Sequence, residues 1–402
     1  MKKHILITAC LTTMASVSPA DIQWNETPQA QTLAVFALKS TPIKGEQQRV
    51  AFNQNLLGQA FTPAANAGYL SQSKQYWLDA SGAQLAQGLA LPLTSDIAVI
   101  RLNPLQVSDK SLAIEPAQVQ LSMGDQPVSA TTFVGARELK AAGMPVGDHS
   151  VALKVQAQAG ELTLKVNGIG SDAYVVHVLE PNSTQVLSLQ TTQQSHQVGQ
   201  DVVVKVAMSS DPESMQIQGY VTAPNGEKIS DLTFQPAADG SQQAVLSGLL
   251  GQAMTAGLWE IHTVTESVVN GQKVLRDAST AFAVNLPSAQ FDGQLQANGQ
   301  QLELGIDNAL AGRYEIRGTL LGTDAQGQAQ PIALLMTAQW LSAGSHRMAF
   351  DWPTELVAQS GLQAPFTVLD VELKNQSLMA PVQQVQAGFT LGEAPVALFD
   401  PR

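Results

Sequence analysis

The sequence predicts an all-β protein: three tandem β-sandwich domains, the last two immunoglobulin-like, with only short helical insertions. Three observations predict it. Short apolar runs of roughly four to eight residues recur along the chain, often alternating with polar residues and bounded by Gly, Asn, Asp and Pro. Stretches with a helical period are few and short. Punctuation at Pro181-Asn182-Ser183-Thr184 and Leu286-Pro287-Ser288 cuts the chain into pieces of roughly 100 residues or somewhat more, the size of a sandwich domain. The expected units are a signal peptide over 1–20, an N-terminal β-sandwich over 21–181, an immunoglobulin-like domain over 182–287 and a C-terminal immunoglobulin-like sandwich over 288–402.

The leader comes first. Lys2 and Lys3 precede an apolar run over 5–11, and Ser18-Pro19-Ala20 places small residues at a cleavage site. Cleavage after Ala20 addresses the mature chain to the periplasm or the exterior. Ile7-Thr8-Ala9-Cys10 offers a competing lipoprotein signal, but the apolar core before Cys10 is short for that purpose. Cys10 is the one cysteine. With the leader removed, the mature chain has no thiol for disulfides, Cys-ligated zinc or thiol catalysis. No later run is long and apolar enough for a membrane span.

Strands are expected over 32–38, 97–102, 151–155, 162–166, 174–179, 201–208, 216–222, 258–265, 302–306, 314–321 and 368–373. Val268-Val269-Asn270-Gly271-Gln272-Lys273-Val274 is the sharpest hairpin, because Asn-Gly tolerates the positive φ that a type I′ turn needs at both positions. Pro224-Asn225-Gly226 and the segment 323–327 read as further turns. Two short helices are expected: one over 136–142, closed by Gly143, and one within 351–360, opened by Pro353 and closed by Gly361. A six-residue echo links Ala256-Gly257-Leu258-Trp259-Glu260-Ile261 with Ala311-Gly312-Arg313-Tyr314-Glu315-Ile316. In sandwiches, such an aromatic often packs at a sheet corner.

Composition excludes more chemistry than it identifies. The 402 residues carry 33 acidic and 21 basic side chains, for a formal charge of −12, so there is no basic footprint for nucleic acid or anionic lipid. The sequence has no His-Glu-x-x-His, no Gly-x-Ser-x-Gly, no phosphate-binding loop and no EF-hand. No cofactor is implied. His177 and His262 lie inside expected strands and read either as ligands or as strand residues satisfied by one neighbour. Asp211-Pro212-Glu213 reads as a capped turn or as a calcium loop. Gln pairs recur and suit outward strand positions. Tyr76-Trp77 is the best candidate for a binding platform, since aromatic faces receive sugar rings. Neighbouring strand residues point to opposite faces, so at most one of the two is outward. Trp340 and Trp352 are weaker candidates of the same kind.

Tyr76-Trp77-Leu78-Asp79, Gly88-Leu89-Ala90-Leu91-Pro92-Leu93 and Ala98-Val99-Ile100-Arg101-Leu102-Asn103-Pro104 resemble segments of an exported gamma-proteobacterial family of unknown function. So do Gly312-Arg313-Tyr314-Glu315-Ile316-Arg317-Gly318-Thr319-Leu320 and Ser360-Gly361-Leu362-Gln363-Ala364-Pro365-Phe366. The resemblance implies a signal peptide, an N-terminal β domain and two immunoglobulin-like domains. It implies no catalytic residue.

The expected function is that of an exported, non-enzymatic, modular binding protein of the bacterial envelope or exterior, with a protein or glycan partner. The alternative is a hydrolase, or a hydrolase accessory protein, with its site in the N-terminal domain. The irregular stretches 45–68 and 103–143 of that domain are where such a site would be carried.

Overall fold

Alternation of apolar and polar residues draws the chain into strands almost throughout the computed structural model, which describes residues 22–33, 47–62, 68–105, 113–170, 172–247 and 257–395. The chain divides into two units, one spanning 66–285 and the other combining residues up to 65 with those from 286 onward. The expected leader and most of the expected strand over 32–38 lie outside the described residues.

The 66–285 unit holds two sandwiches. In the first, a five-stranded antiparallel sheet runs in the order Gln75–Ser81, Ala173–Leu179, Ile97–Pro104, Val151–Gln156, Ala130–Gly135. It packs on a four-stranded sheet of Leu89–Leu93, Gly160–Val166, Val119–Met123 and Gln126–Val128. Alternate residues of the longer inner strands enter one core, which includes Tyr76, Leu91, Ile100, Leu102, Leu153, Leu164 and Val178. The stretch 103–143, expected to be irregular, instead carries three further strands and the helix Ala136–Ala141. A third helix, Gly82–Gln87, went unforeseen; Ser81 and Gln84 form a capping box at its start.

The second sandwich pairs the sheet Gln235–Pro236, Gln242–Leu246, Val202–Met208, Leu187–Thr191, Ser71–Ser73 with the sheet Ser195–Gln197, Gln272–Asn285, Gly257–Val269, Ser214–Thr222, Lys228–Leu232. The expected Asn-Gly hairpin joins its two longest strands, with Asn270 at φ 52° and Gly271 at φ 72°. Glu213 accepts the Gly271 N–H at 2.9 Å and so closes that turn.

The other unit is a sandwich of a seven-stranded and a three-stranded sheet. Gly257 and Gly312, the glycines of the sequence echo, each open a strand, and the aromatics two residues on, Trp259 and Tyr314, are both buried. The Tyr314 hydroxyl donates to the carbonyl of Leu310 at 3.0 Å and receives Asn375 Nδ2 at 3.2 Å, which is the corner arrangement of immunoglobulin-like domains. Asp351 ends a strand, and the expected second helix occupies Thr354–Ser360, with left-handed Gly361 closing it.

The expected N-terminal domain over 21–181 differs from this structure at its start. Ile22–Trp24 pairs with Phe389–Leu391, and Val50–Asn55 pairs with Ala329–Leu341, so both strands complete the seven-stranded sheet at opposite edges. Ser71–Ser73 pairs with Leu187–Thr191 in the middle sandwich, and only from Gln75 does the chain enter the first one. The physical reason is burial. The Trp24 indole sits 5.5 Å from both Phe291 and Phe389, and its Nε1 donates to the Gly293 carbonyl at 3.0 Å. A sheet edge left bare would expose unpaired backbone groups, which these strands cover.

Candidate functional site

The strand Gln75–Ser81 alternates faces, which separates the two expected platform residues. Tyr76 points inward: it is 1% exposed and its hydroxyl donates to the Pro92 carbonyl at 2.9 Å. Burial pushes its phenol well above the ordinary range, so it stays neutral. Tyr76 is therefore a core residue and not a binding surface. Trp77 points outward and is 39% exposed.

Antiparallel pairing sets Trp77 opposite His177, and His177 opposite Arg101 on the next strand, so the three side chains form one row across the outer face. The Trp77 and His177 rings stack with centroids 4.0 Å apart and planes 20° from parallel. The Arg101 guanidinium carbon lies 5.4 Å from the indole centroid. Burial, with the Arg101 charge adding to it, lowers the His177 pKa to about 4. His177 is thus neutral at physiological pH, and its Nε2–H donates to Gln75 Oε1 at 2.9 Å. The only full charge in the row is that of Arg101. Its Nε is buried without a partner among the described residues.

The row is held from below by the neighbouring sandwich. The Asp277 carboxyl accepts the backbone N–H of Trp77, on the edge of the strand where no further strand pairs. Burial raises the Asp277 pKa to about 7, against the opposing pull of that N–H and of Arg276. One residue away, Glu180 and Arg276 form an ion pair at 2.9 Å with both side chains fully buried. Glu180 also accepts from Thr94 Oγ1 and from the Ser95 N–H, each at 3.0 Å. Arg276 donates to Gln185 O at 2.9 Å and to Thr94 Oγ1 and Ser183 Oγ at 2.8 Å. Gln272 Nε2 reaches the Leu93 carbonyl. These contacts join the two sandwiches of the 66–285 unit through buried polar groups that are mutually satisfied.

The remaining sequence candidates are dispersed. His262 stacks on Tyr220 at 4.9 Å and lies 3.3 Å from Glu260, on the outer face of the middle sandwich. Trp352 is buried edge-on against Phe366, and Trp340 is half-buried in the strand Ala329–Leu341. Glu213 is engaged by the hairpin turn, while Asp211 lines a shallow cleft of about 420 Å³ together with Lys205 and Asp239. No group of three metal-ligating side chains occurs among the described residues. Another cleft, of about 520 Å³, lies between Trp24, Gly293 and Arg347, where Arg347 donates to Gln294. No helix among the described residues is long and apolar enough to cross a membrane.

Sequence reading found Trp77 and His177 but neither their pairing nor Arg101, Gln75 and Asp277. The parity of the three strands held the signal, since Trp77, His177 and Arg101 all sit between apolar neighbours. Bringing them together required the register.

Two family models match the chain. The N-terminal domain of a domain of unknown function, DUF4785, matches residues 42–180, and the C-terminal domain of the same family matches residues 288–392. No curated protein matches. Among solved structures, a DUF4785 family protein from Legionella pneumophila is similar at 19% identity and a TM-score of 0.64, over 89% of this chain and 97% of that one. That likeness is one of fold. Domains A168–A170 of titin, 8% identical over 79% of this chain and 99% of that one, give a TM-score of 0.19. The N-terminal eight Ig domains of the Down syndrome cell adhesion molecule, 9% identical over 90% and 56%, give 0.20.

Proposed function

Because the chain belongs to the DUF4785 family, whose domains have no assigned function, we propose its role from the site itself: an exported, non-enzymatic binding protein of the bacterial envelope or exterior that engages its partner through the Trp77 face. The observation that carries this reading is the row Trp77–His177–Arg101, an exposed indole stacked on a neutral imidazole beside a cation without an ion-pair partner among the described residues. Such a row offers apolar area, a flat face and one charge, which are the elements of recognition. It offers no nucleophile, and its imidazole, lowered in basicity and with its Nε2–H given to Gln75, is a poor proton acceptor, so the row supports binding better than bond cleavage. Export rests on Lys2, Lys3, the apolar run after them and Ser18-Pro19-Ala20.

The test has two parts. Amino-terminal sequencing of protein from fractionated cells should find Asp21 first, in the periplasm or the medium; an uncleaved Met1 or a lipidated Cys10 would refute the address. Binding of purified protein to isolated envelope material should fall at least about tenfold in Trp77→Ala, since a buried aromatic anchor contributes on that scale. Undiminished binding by a folded Trp77→Ala variant would refute the role of this face.

A further inference from the structure

We propose that the Trp77–His177–Arg101 row recognises a carboxylate-bearing saccharide, the ring lying on the indole and the carboxylate on Arg101. This rests on the binding role argued above and adds the ligand's chemistry.

The charge pattern favours such a ligand. In a chain with 33 acidic and 21 basic residues, a cation is easily paired. Arg49 pairs with Asp351, Arg137 with Glu138, Arg276 with Glu180 and Arg317 with Glu372. Arg101 has no ion pair among the described residues, and instead lies over an aromatic ring with its Nε unpartnered. A half-buried guanidinium kept from its own carboxylates is complementary to one brought by a ligand. Its planar fork matches a carboxylate in bidentate geometry.

Arg101 also stands beside groups that suit a sugar. The exposed indole gives a flat apolar surface, and the CH face of a pyranose lies on such a surface. The guanidinium carbon lies 5.4 Å from the indole centroid, close enough for the ring and the carboxylate of one monosaccharide unit to be shared between the two groups. Gln75 holds His177 through its carbonyl oxygen, which leaves the Gln75 amide hydrogens for ring hydroxyls. Asp79 and Asn103 lie on the same face two pairing rows away and add acceptors and donors. The row is also rigid. Trp77 is fixed at its backbone by Asp277 and at its ring by His177, so little freedom is lost on binding.

The experiment uses the full mature chain and four probes: oligomers of galacturonate and of glucuronate, and the methyl ester of each. Ester and acid share the ring and differ in charge. Titration calorimetry should give binding of at least one acid form, weakened by salt, with the matching ester about tenfold weaker or worse. Trp77→Ala should abolish binding of both forms. Arg101→Gln should lower affinity for the acid about tenfold and leave the ester unchanged, and Arg101→Lys should restore part of it. Melting curves confirm that each variant is folded. If acid and ester bind equally well in a Trp77-dependent way, the charge assignment is overturned while the binding role stands. If no acid form binds at about 1 mM, the saccharide assignment is overturned. It is also overturned if Trp77→Ala abolishes capture of an envelope protein while all four probes stay unbound. Binding of the acids that is indifferent to both Trp77→Ala and Arg101→Gln overturns the assignment of this face.

Discussion

Glu180→Gln removes one charge from the pair that joins the two sandwiches of the 66–285 unit, with almost no change in volume. Both side chains of the pair are fully buried, so no water compensates the Arg276 guanidinium once the carboxylate is gone. Arg276 would keep its donations to Gln185, Thr94 and Ser183 but lose its counter-charge at 2.9 Å. The acceptor of Thr94 Oγ1 and Ser95 N–H would change from carboxylate to amide. Breaking a buried pair from one side costs about 3–5 kcal/mol, because an unpaired buried charge is left behind. A unit of this size loses about 2–4 °C per kcal/mol, so the melting transition should fall by roughly 6–20 °C. Arg276→Met should cost a comparable amount. The double variant should be more stable than the sum of the two losses implies, by about 1–3 kcal/mol, since neither charge is then stranded. Full recovery is not expected, because Thr94, Ser95 and Ser183 would still face a gap. Scanning calorimetry of the full chain and the three variants provides the cycle. A Glu180→Gln transition within about 1 °C of the parent, or strictly additive single losses, would show that the pair does not couple the two sandwiches.

Four further outcomes are expected. A fragment of residues 288–402 should aggregate or melt far below the full chain, because it lacks the strands Ile22–Trp24 and Val50–Asn55 that cover both edges of its sheet; in the full chain Trp24→Ala should cost about 2–4 kcal/mol, below or within the range for a fully buried Trp, and a fragment as stable as the full chain would contradict the pairing. Tyr314→Phe should destabilise its unit by about 1–3 kcal/mol in denaturant titration, since the buried Leu310 carbonyl keeps only Asn308 and the Asn375 amide only Ser288 of their partners; equal midpoints would remove the corner's significance. Asp277 holds its proton up to about pH 7 when folded but only to about pH 4 when unfolded. Between those values the folded state binds more protons, so this group's contribution to stability falls as pH rises and is lost near neutrality. The melting temperature of the parent should therefore drop more from pH 5 to pH 8 than that of Asp277→Asn, and parallel pH profiles would refute the assignment.

Much of the fold was legible because its causes are local. Period-two alternation marks strands over 97–102, 162–166 and 314–321, and Asn270-Gly271 specifies its own turn from the φ values that it tolerates. The same parity shows that Tyr76 and Trp77 face opposite ways. It does not say which of them is outward; that depends on which face meets the Gly160–Val166 sheet. What local pattern cannot carry is partner choice. Ile22 pairs with Leu391, and no property of residues 22–24 points to a strand so distant in sequence, which is why the first strands read as part of an N-terminal domain. Arg101 looked like an ordinary strand residue, and nothing tied His177 to Trp77, until antiparallel register set the three side chains side by side. Arg276, for which the sequence offers no partner, is fully buried because Glu180 from the other sandwich meets it there. Amino-acid sequence alone thus determined strand positions, turns and face parity, which depend on nearest neighbours along the chain. Tertiary structure decided edges, register and the site, because these depend on which surfaces must be buried against one another.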